Sequence, residues 1–219
     1  MSAFQITWFT LLCAVGATLL IVPAGVPLAW LLARRRFRGR AVLEALVTMP
    51  LVVPPVATGL LLLVLFSRRG MLGALLERMG IGIVFTWKAV VLAMAVMGLP
   101  LLVRTARAGF EQVNTRYESV AATLGASPLR VFFTISLPLA WPAVLAGAVL
   151  AFARALGEFG ATIVVAGSIP GATRTLAVAI YGYTETGQDR QALALVAIAI
   201  VIAFVALWAS NRLIERRQA

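Results

Sequence analysis

The chain has 219 residues, of which 62% are hydrophobic and 12% are charged, and its formal net charge is +11. About a quarter of the residues in a soluble domain are charged, so this composition excludes an ordinary soluble fold. The positive charge alone would suit a nucleic-acid partner, but the arginines gather beside apolar segments, as in residues 34–40. We therefore expect an all-α integral membrane protein that contacts the lipid bilayer and binds no nucleic acid.

Five apolar segments are each long enough to cross a bilayer, which takes about 20 residues per helix. They form one predicted transmembrane domain over residues 1–219. The predicted spans are residues 6–33, 43–66, 87–107, 139–165 and 192–208. No basic residue precedes the first span and several follow it, which predicts an uncleaved helix with its N-terminus outside.

Alternating crossings then place residues 108–138 and the C-terminal tail in the cytoplasm. The tail is basic, as the inner side should be, through Arg212, Arg216 and Arg217. Three outer arginines weaken this asymmetry: Arg68, Arg69 and Arg78.

Prolines interrupt the second predicted span at Pro50, Pro54 and Pro55. Each lacks an amide donor and clashes with the preceding turn, so the helix must kink or break. Two interpretations remain open: a packing kink, or a hinge that lines a path, as broken helices do in transporters. Under the second, Pro54, Pro55 and Thr58 are tentative path residues.

The longest inner loop has the pattern of two short helices joined by a glycine. One helical stripe is formed by Tyr117, Val120, Ala121 and Leu124. Gly125 is expected to end the first helix, because glycine tolerates a left-handed conformation. Ser127 is then an N-cap, with Pro128 at the first position of the second helix. Such a surface helix rests on the membrane or fits a protein groove.

Small residues recur every four positions in the fourth predicted span: Ala143, Gly147, Ala151 and Ala155. This spacing lets helix backbones approach closely, so it predicts a helix contact within the chain or with a second copy.

Arg154 and Glu158 lie one turn apart in the same span and can pair. A charge at bilayer depth costs about 2.5–3.5 kcal/mol on insertion scales, which a partner offsets. We interpret them as a structural ion pair in preference to a direct substrate contact. Glu158 and Thr162 complete the tentative set of path residues.

Residues 117–127, followed by 132–138, closely resemble the EAA loop of ABC importer permeases. That loop has Glu-Ala-Ala, a glycine four residues after the last alanine, and a later Leu-Pro. Gly125 keeps the glycine register, and Leu137 and Pro138 match the Leu-Pro. The Glu-Ala-Ala positions are occupied by Ser119, Val120 and Ala121. Glu118 is therefore displaced by one position.

A second resemblance is to the molybdate permease branch of that family. It is carried by residues 156–162, 169–171, 173–176 and 179–181. Sulfate permeases share the Leu-Gly-Glu-Phe-Gly stretch, which begins at Leu156, but diverge in the later segments. The alternative cargoes are therefore sulfate, thiosulfate or tungstate.

The resemblance implies a type I ABC importer permease fold of about five transmembrane helices with a cytoplasmic coupling helix. It implies a homodimer in the bacterial inner membrane, two cytoplasmic ATPase subunits and a periplasmic oxyanion-binding protein. The residues expected to couple to the ATPase are Glu118, Ser119, Val120, Ala121, Ala122, Leu124, Gly125, Ala126 and Ser127.

The chain has no ATP site of the P-loop type, since its only lysine, Lys88, is followed by Ala89 and not by Ser or Thr. ATP and Mg are therefore expected on the partner ATPase, and we expect no catalytic residue, metal site or cofactor in this chain. The more distant alternative is an ATP-independent channel or secondary carrier, whose internal repeats we do not find.

Overall fold

The computed structural model describes residues 1–215, so Arg216 and Arg217 of the predicted basic tail lie outside the described residues. The described part is helical, and it contains no strand. The elements are α1 (Ala3–Arg34), α2 (Arg40–Val52), α3 (Pro55–Phe66), α4 (Met71–Arg78), α5 (Trp87–Gln112), α6 (Thr115–Thr123), α7 (Pro128–Val131), a π-helical turn (Phe132–Ser136), α8 (Leu137–Leu156), α9 (Gly160–Val165), α10 (Leu176–Glu185) and α11 (Asp189–Glu215).

Within the described residues, four segments are long and apolar enough to cross a membrane singly: α1, α5, Pro128–Leu156 and Asp189–Trp208. The pair α2 and α3 forms a fifth candidate, bent by 114°. This arrangement confirms the predicted all-α membrane fold. Two further short helices, α4 and α10, lie between the candidate spans, and the sequence analysis did not predict them.

The predicted second span, residues 43–66, is two helices rather than one. The chain leaves the helical conformation at Val53, whose ψ of 134° is extended. The cause is local, because a residue before proline is pushed out of the helical region and Pro54 and Pro55 donate no amide hydrogen. The predicted interruption is therefore a sharp break between α2 and α3, with a bend of 114°.

The predicted fourth span, residues 139–165, also ends early, at Leu156. A short non-helical link follows, in which Phe159 has φ −125° and ψ −56°. The side chain of Glu158 accepts a hydrogen bond of 2.8 Å from the amide of Ala161 and so caps the restarted helix α9. Glu158 is the only charged residue in this link and apolar residues flank it on both sides, which is why the sequence pattern did not show the break.

The centre of the bundle is α5, which packs on α1 and α8 and buries residues along most of its length. Gly147 of α8 faces α5 so closely that an added Cβ would lie 3.0 Å from the carbonyl oxygen of Leu102. A Cβ on Gly98 of α5 would lie 3.2 Å from the carbonyl oxygen of Ala151. The ridge of small residues therefore makes the predicted helix contact, and its partner is α5 of the same chain.

Candidate functional sites

The loop between α5 and α8 folds as its sequence predicts. Helix α6 ends at Thr123, and Gly125 follows in the left-handed conformation, with φ +82°. The amide of Gly125 donates to the carbonyl oxygen of Ala122, and the amide of Ala126 donates to that of Ala121; both distances are 3.0 Å. This double closure satisfies carbonyl groups that the helix end would otherwise leave unpaired.

The second half of the loop leads directly into a membrane helix. The hydroxyl of Ser127 accepts a 3.4 Å hydrogen bond from the amide of Arg130, and Pro128 takes the first helical position, as predicted. The chain then passes through the π-helical turn, Phe132–Ser136, into α8. Because no flexible linker intervenes, a displacement of α7 displaces the inner end of α8.

An apolar stripe on α6 is exposed in the single chain. The exposed fractions are 59% for Tyr117, 59% for Val120 and 83% for Leu124. These side chains line a groove of about 560 Å³ together with Ile135 of the π-helical turn and Pro138 of α8. Exposed apolar side chains on a short cytoplasmic helix are typical of a surface that a partner protein covers.

Glu118 points into the chain. Its Oε1 accepts hydrogen bonds from Arg34 Nε, at 2.9 Å, and from the hydroxyl of Ser136, at 2.7 Å. The side chains of Arg34 and Glu118 are only 11% and 16% exposed, and Arg34 also donates to the carbonyl oxygen of Val113. This carboxylate therefore holds α6 against α1 and the π-helical turn.

Glu118 differs from the other predicted coupling residues, because its carboxylate has partners inside the chain. Six of the other predicted residues are exposed: Ser119, Val120, Ala122, Leu124, Gly125 and Ser127. Two are half-buried: Ala121 and Ala126.

The two broken membrane segments pack on each other at their breaks. A Cβ on Gly59 of α3 would lie 2.7 Å from the carbonyl oxygen of Ala161 in α9. One on Gly160 would lie 2.8 Å from the Cβ of Pro55. Only glycine permits this close approach of one backbone to the other.

The breaks lie within the length of α5, which is long and apolar enough to cross a membrane. Gly98, which contacts Ala151, is eleven residues into α5, or roughly 16 Å along its axis from the outer end. Helix α8 ends five residues beyond Ala151, so its end lies roughly 10 Å below the outer end of α5. Discontinuous helices at such depth are typical of the substrate paths of transporters.

Glu158 lies at this junction and is 1% exposed. Arg154 Nη1 approaches Glu158 Oε2 to 2.7 Å, so the predicted ion pair is confirmed. This contact is the one that compensates the charge of Glu158 Oε2 among the described residues. The hydroxyl of Thr162 is also buried and has no hydrogen-bond partner among the described residues.

Comparison with known proteins supplies the family. Residues 25–219 match the family described as binding-protein-dependent transport system inner membrane component. The chain belongs to this family. It is therefore a multi-pass component of an inner membrane transport system.

Two relatives of this inner membrane component align over most of both chains. The molybdenum transport system permease protein ModB of Escherichia coli (strain K12) is 48% identical over 197 residues, covering 89% of this chain and 86% of the relative. The protein of the same name from Haemophilus influenzae is 44% identical over 207 residues, covering 94% and 90%.

The fold of this inner membrane component is shared with the inward-facing MetNI methionine ABC transporter. The TM-score is 0.72 at 16% sequence identity, and the match covers 99% of both chains. At this identity the likeness establishes the fold alone.

The predicted path residues belong to the two packed breaks. Thr58 is 7% exposed, while Glu158 and Thr162 are buried and Pro54 is exposed at the start of α3. The sequence analysis missed Gly59 and Gly160, whose close contacts join segments about a hundred residues apart. It also missed Arg34 and Ser136 as partners of Glu118, because nothing in the sequence marks such distant pairs.

Proposed function

We propose that this chain is the membrane-spanning subunit of an ATP-driven importer of molybdate. The observation that carries the proposal is the 48% identity to a molybdenum transport system permease protein over 89% of this chain. Residues 156–162 resemble the corresponding segment of the molybdate permease branch, and they lie at the junction of the two broken helices. The stretch that begins at Leu156, which the molybdate and sulfate branches share, therefore lies where an oxyanion would pass, and the later segments favour molybdate.

The exposed stripe of α6 supports docking of a cytoplasmic ATPase. The chain lacks a P-loop, so ATP and Mg are bound by that partner. The proposed assembly has two copies of this chain, two ATPase subunits and a periplasmic oxyanion-binding protein. The N-terminus is outside, and α6 is in the cytoplasm.

The internal contacts of α6 suggest how the ATPase drives transport. When ATP binding draws the ATPases together, α6 moves with them. The bonds of Glu118 to Arg34 and Ser136 pass this motion to α1 and α8. The breaks before α3 and α9 then absorb the change in helix direction and open the path beside Pro54, Pro55 and Thr58.

The test is complementation of a bacterial strain that lacks its own molybdate permease. Expression of this chain with its ATPase and binding protein should restore nitrate reductase activity on limiting molybdate. An unchanged lack of activity, with the complex present in the membrane, contradicts the molybdate assignment. Restored growth of a sulfate-permease mutant on limiting sulfate would instead assign sulfate.

A further inference from the structure

Arg154 is a charged residue near the end of a membrane helix whose side chain stays partly open. It is 27% exposed, whereas its partner Glu158 is 1% exposed. From the position of Ala151, it lies roughly 12 Å below the outer end of α5, inside the hydrocarbon core. The exposed part of this charged side chain therefore needs an explanation that lipid does not provide.

A guanidinium in contact with lipid tails is unfavourable, so such groups face the protein interior or a water-filled cavity. The open face of Arg154 accordingly points to an aqueous path rather than to lipid. Glu158 does not face this aqueous path. Its two oxygens lie in the interior of the chain, where one contacts the amide of Ala161 and the other the guanidinium of Arg154.

The guanidinium also retains its capacity to donate. It carries five N–H donors in a planar fork, and only Nη1 is paired with Glu158, at 2.7 Å. Such a fork matches two oxygens of a tetrahedral oxyanion. The side chain is thus held in place by charge pairing while its other donors remain available.

We propose that Arg154 binds the oxyanion during its passage through the membrane and that Glu158 positions Arg154 for this contact. This inference rests on the proposed function, since it takes the cargo to be a tetrahedral dianion. The pairing with Glu158 also keeps the local net charge near zero. Binding is then weak enough for release, as passage through a membrane path requires.

The experiment uses the complete complex in proteoliposomes. Arg154→Cys is labelled with a water-soluble cationic thiol reagent. The native Cys13 is 4% exposed, and labelling of the unsubstituted chain measures its background reaction. The expected result is a thiol that reacts during turnover. Molybdate uptake should fall about tenfold in the unlabelled variant, the loss expected for one charge-assisted hydrogen bond.

The cationic label should restore part of the uptake, and a neutral thiol reagent of similar size should not. Throughout, the ATPase activity stimulated by the binding protein should stay within about twofold of the unsubstituted complex. The exposed arginine of α4 provides the matched control, and Arg78→Gln should leave uptake unchanged.

Two results would overturn the inference. One is a thiol that does not react although the variant complex is active, since Arg154 then faces no water. The other is normal uptake by Arg154→Gln. Failure of the proposed function has a different sign: the unsubstituted complex hydrolyses ATP but accumulates no molybdate. In that case, labelling of Arg154→Cys and the uptake of sulfate test whether Arg154 contacts another oxyanion.

Discussion

Arg34, the last residue of α1, donates a 2.9 Å hydrogen bond to Glu118 of α6, 84 residues further along the chain. The bond is largely shielded from water, and Ser136 donates to the same carboxylate oxygen. One acidic side chain therefore connects the loop helix to two membrane helices. The displacement of this residue from the usual acidic position of the EAA loop gives it an internal partner.

Removal of this bond should destabilise the chain. Glu118→Gln leaves Arg34 largely buried without a counter-charge, and we expect a loss of about 1.5–3 kcal/mol in the free energy of unfolding. Arg34→Gln should cost a similar amount, and the double variant should cost less than the sum. The measurement is the free energy of unfolding of all three variants in detergent solution. Glu185→Gln, at an exposed position, is the control. Strict additivity would show that the two side chains do not interact.

The apolar stripe of α6 should be needed for ATPase binding and not for folding. Leu124 is 83% exposed, so Leu124→Glu costs the single chain little. In the complex it places a charge in an apolar contact, and copurification of the ATPase should fall at least tenfold. Thr123→Glu, exposed next to it but off the stripe, is the matched control. Undiminished copurification with Leu124→Glu would remove the docking role.

The turn after α6 depends on the backbone of Gly125. No atom lies within 4 Å of an added Cβ there, but φ is +82°. Gly125→Ala should therefore cost about 1–2 kcal/mol through the left-handed conformation alone. Gly182→Ala, in open space within α10, should be neutral or stabilising. Thermal unfolding of the two variants compares them, and equal midpoints would contradict the strained turn.

The junction of the broken helices should tolerate no side chain at Gly59. In Gly59→Ala the methyl group would lie 2.7 Å from the Ala161 carbonyl oxygen, so α3 and α9 must separate. We expect a loss of about 1–3 kcal/mol and strongly reduced transport. Gly16→Ala is the control, because its Cβ meets only a Val91 methyl group at 3.8 Å. If both variants transport normally, the close packing of the breaks is not required.

Local chemistry determined what the sequence could predict. The helix ending at Gly125 and the cap at Ser127 depend on neighbouring residues, and both are found as predicted. The break at Pro54 was also predictable, although its angle of 114° was not, because surrounding helices fix the direction in which α3 leaves.

Tertiary contacts determined the remainder. The link after Leu156 interrupts a continuous apolar segment and is stabilised in part by the Glu158 side chain, whose preference for capping α9 depends on the folded chain. The contact of Gly59 with Ala161 joins segments about a hundred residues apart, and no sequence pattern relates them. The sequence therefore predicted one of the two breaks, but it did not predict that they pack against each other.

Reconstituted transport tests the central claim most directly. The chain, its ATPase and its binding protein are placed in proteoliposomes, and molybdate accumulation is measured with and without ATP. We predict accumulation that requires ATP and all three proteins and that excess sulfate inhibits only weakly. Accumulation without ATP, or of sulfate in preference to molybdate, would contradict the assignment of this chain as the permease subunit of an ATP-driven molybdate importer.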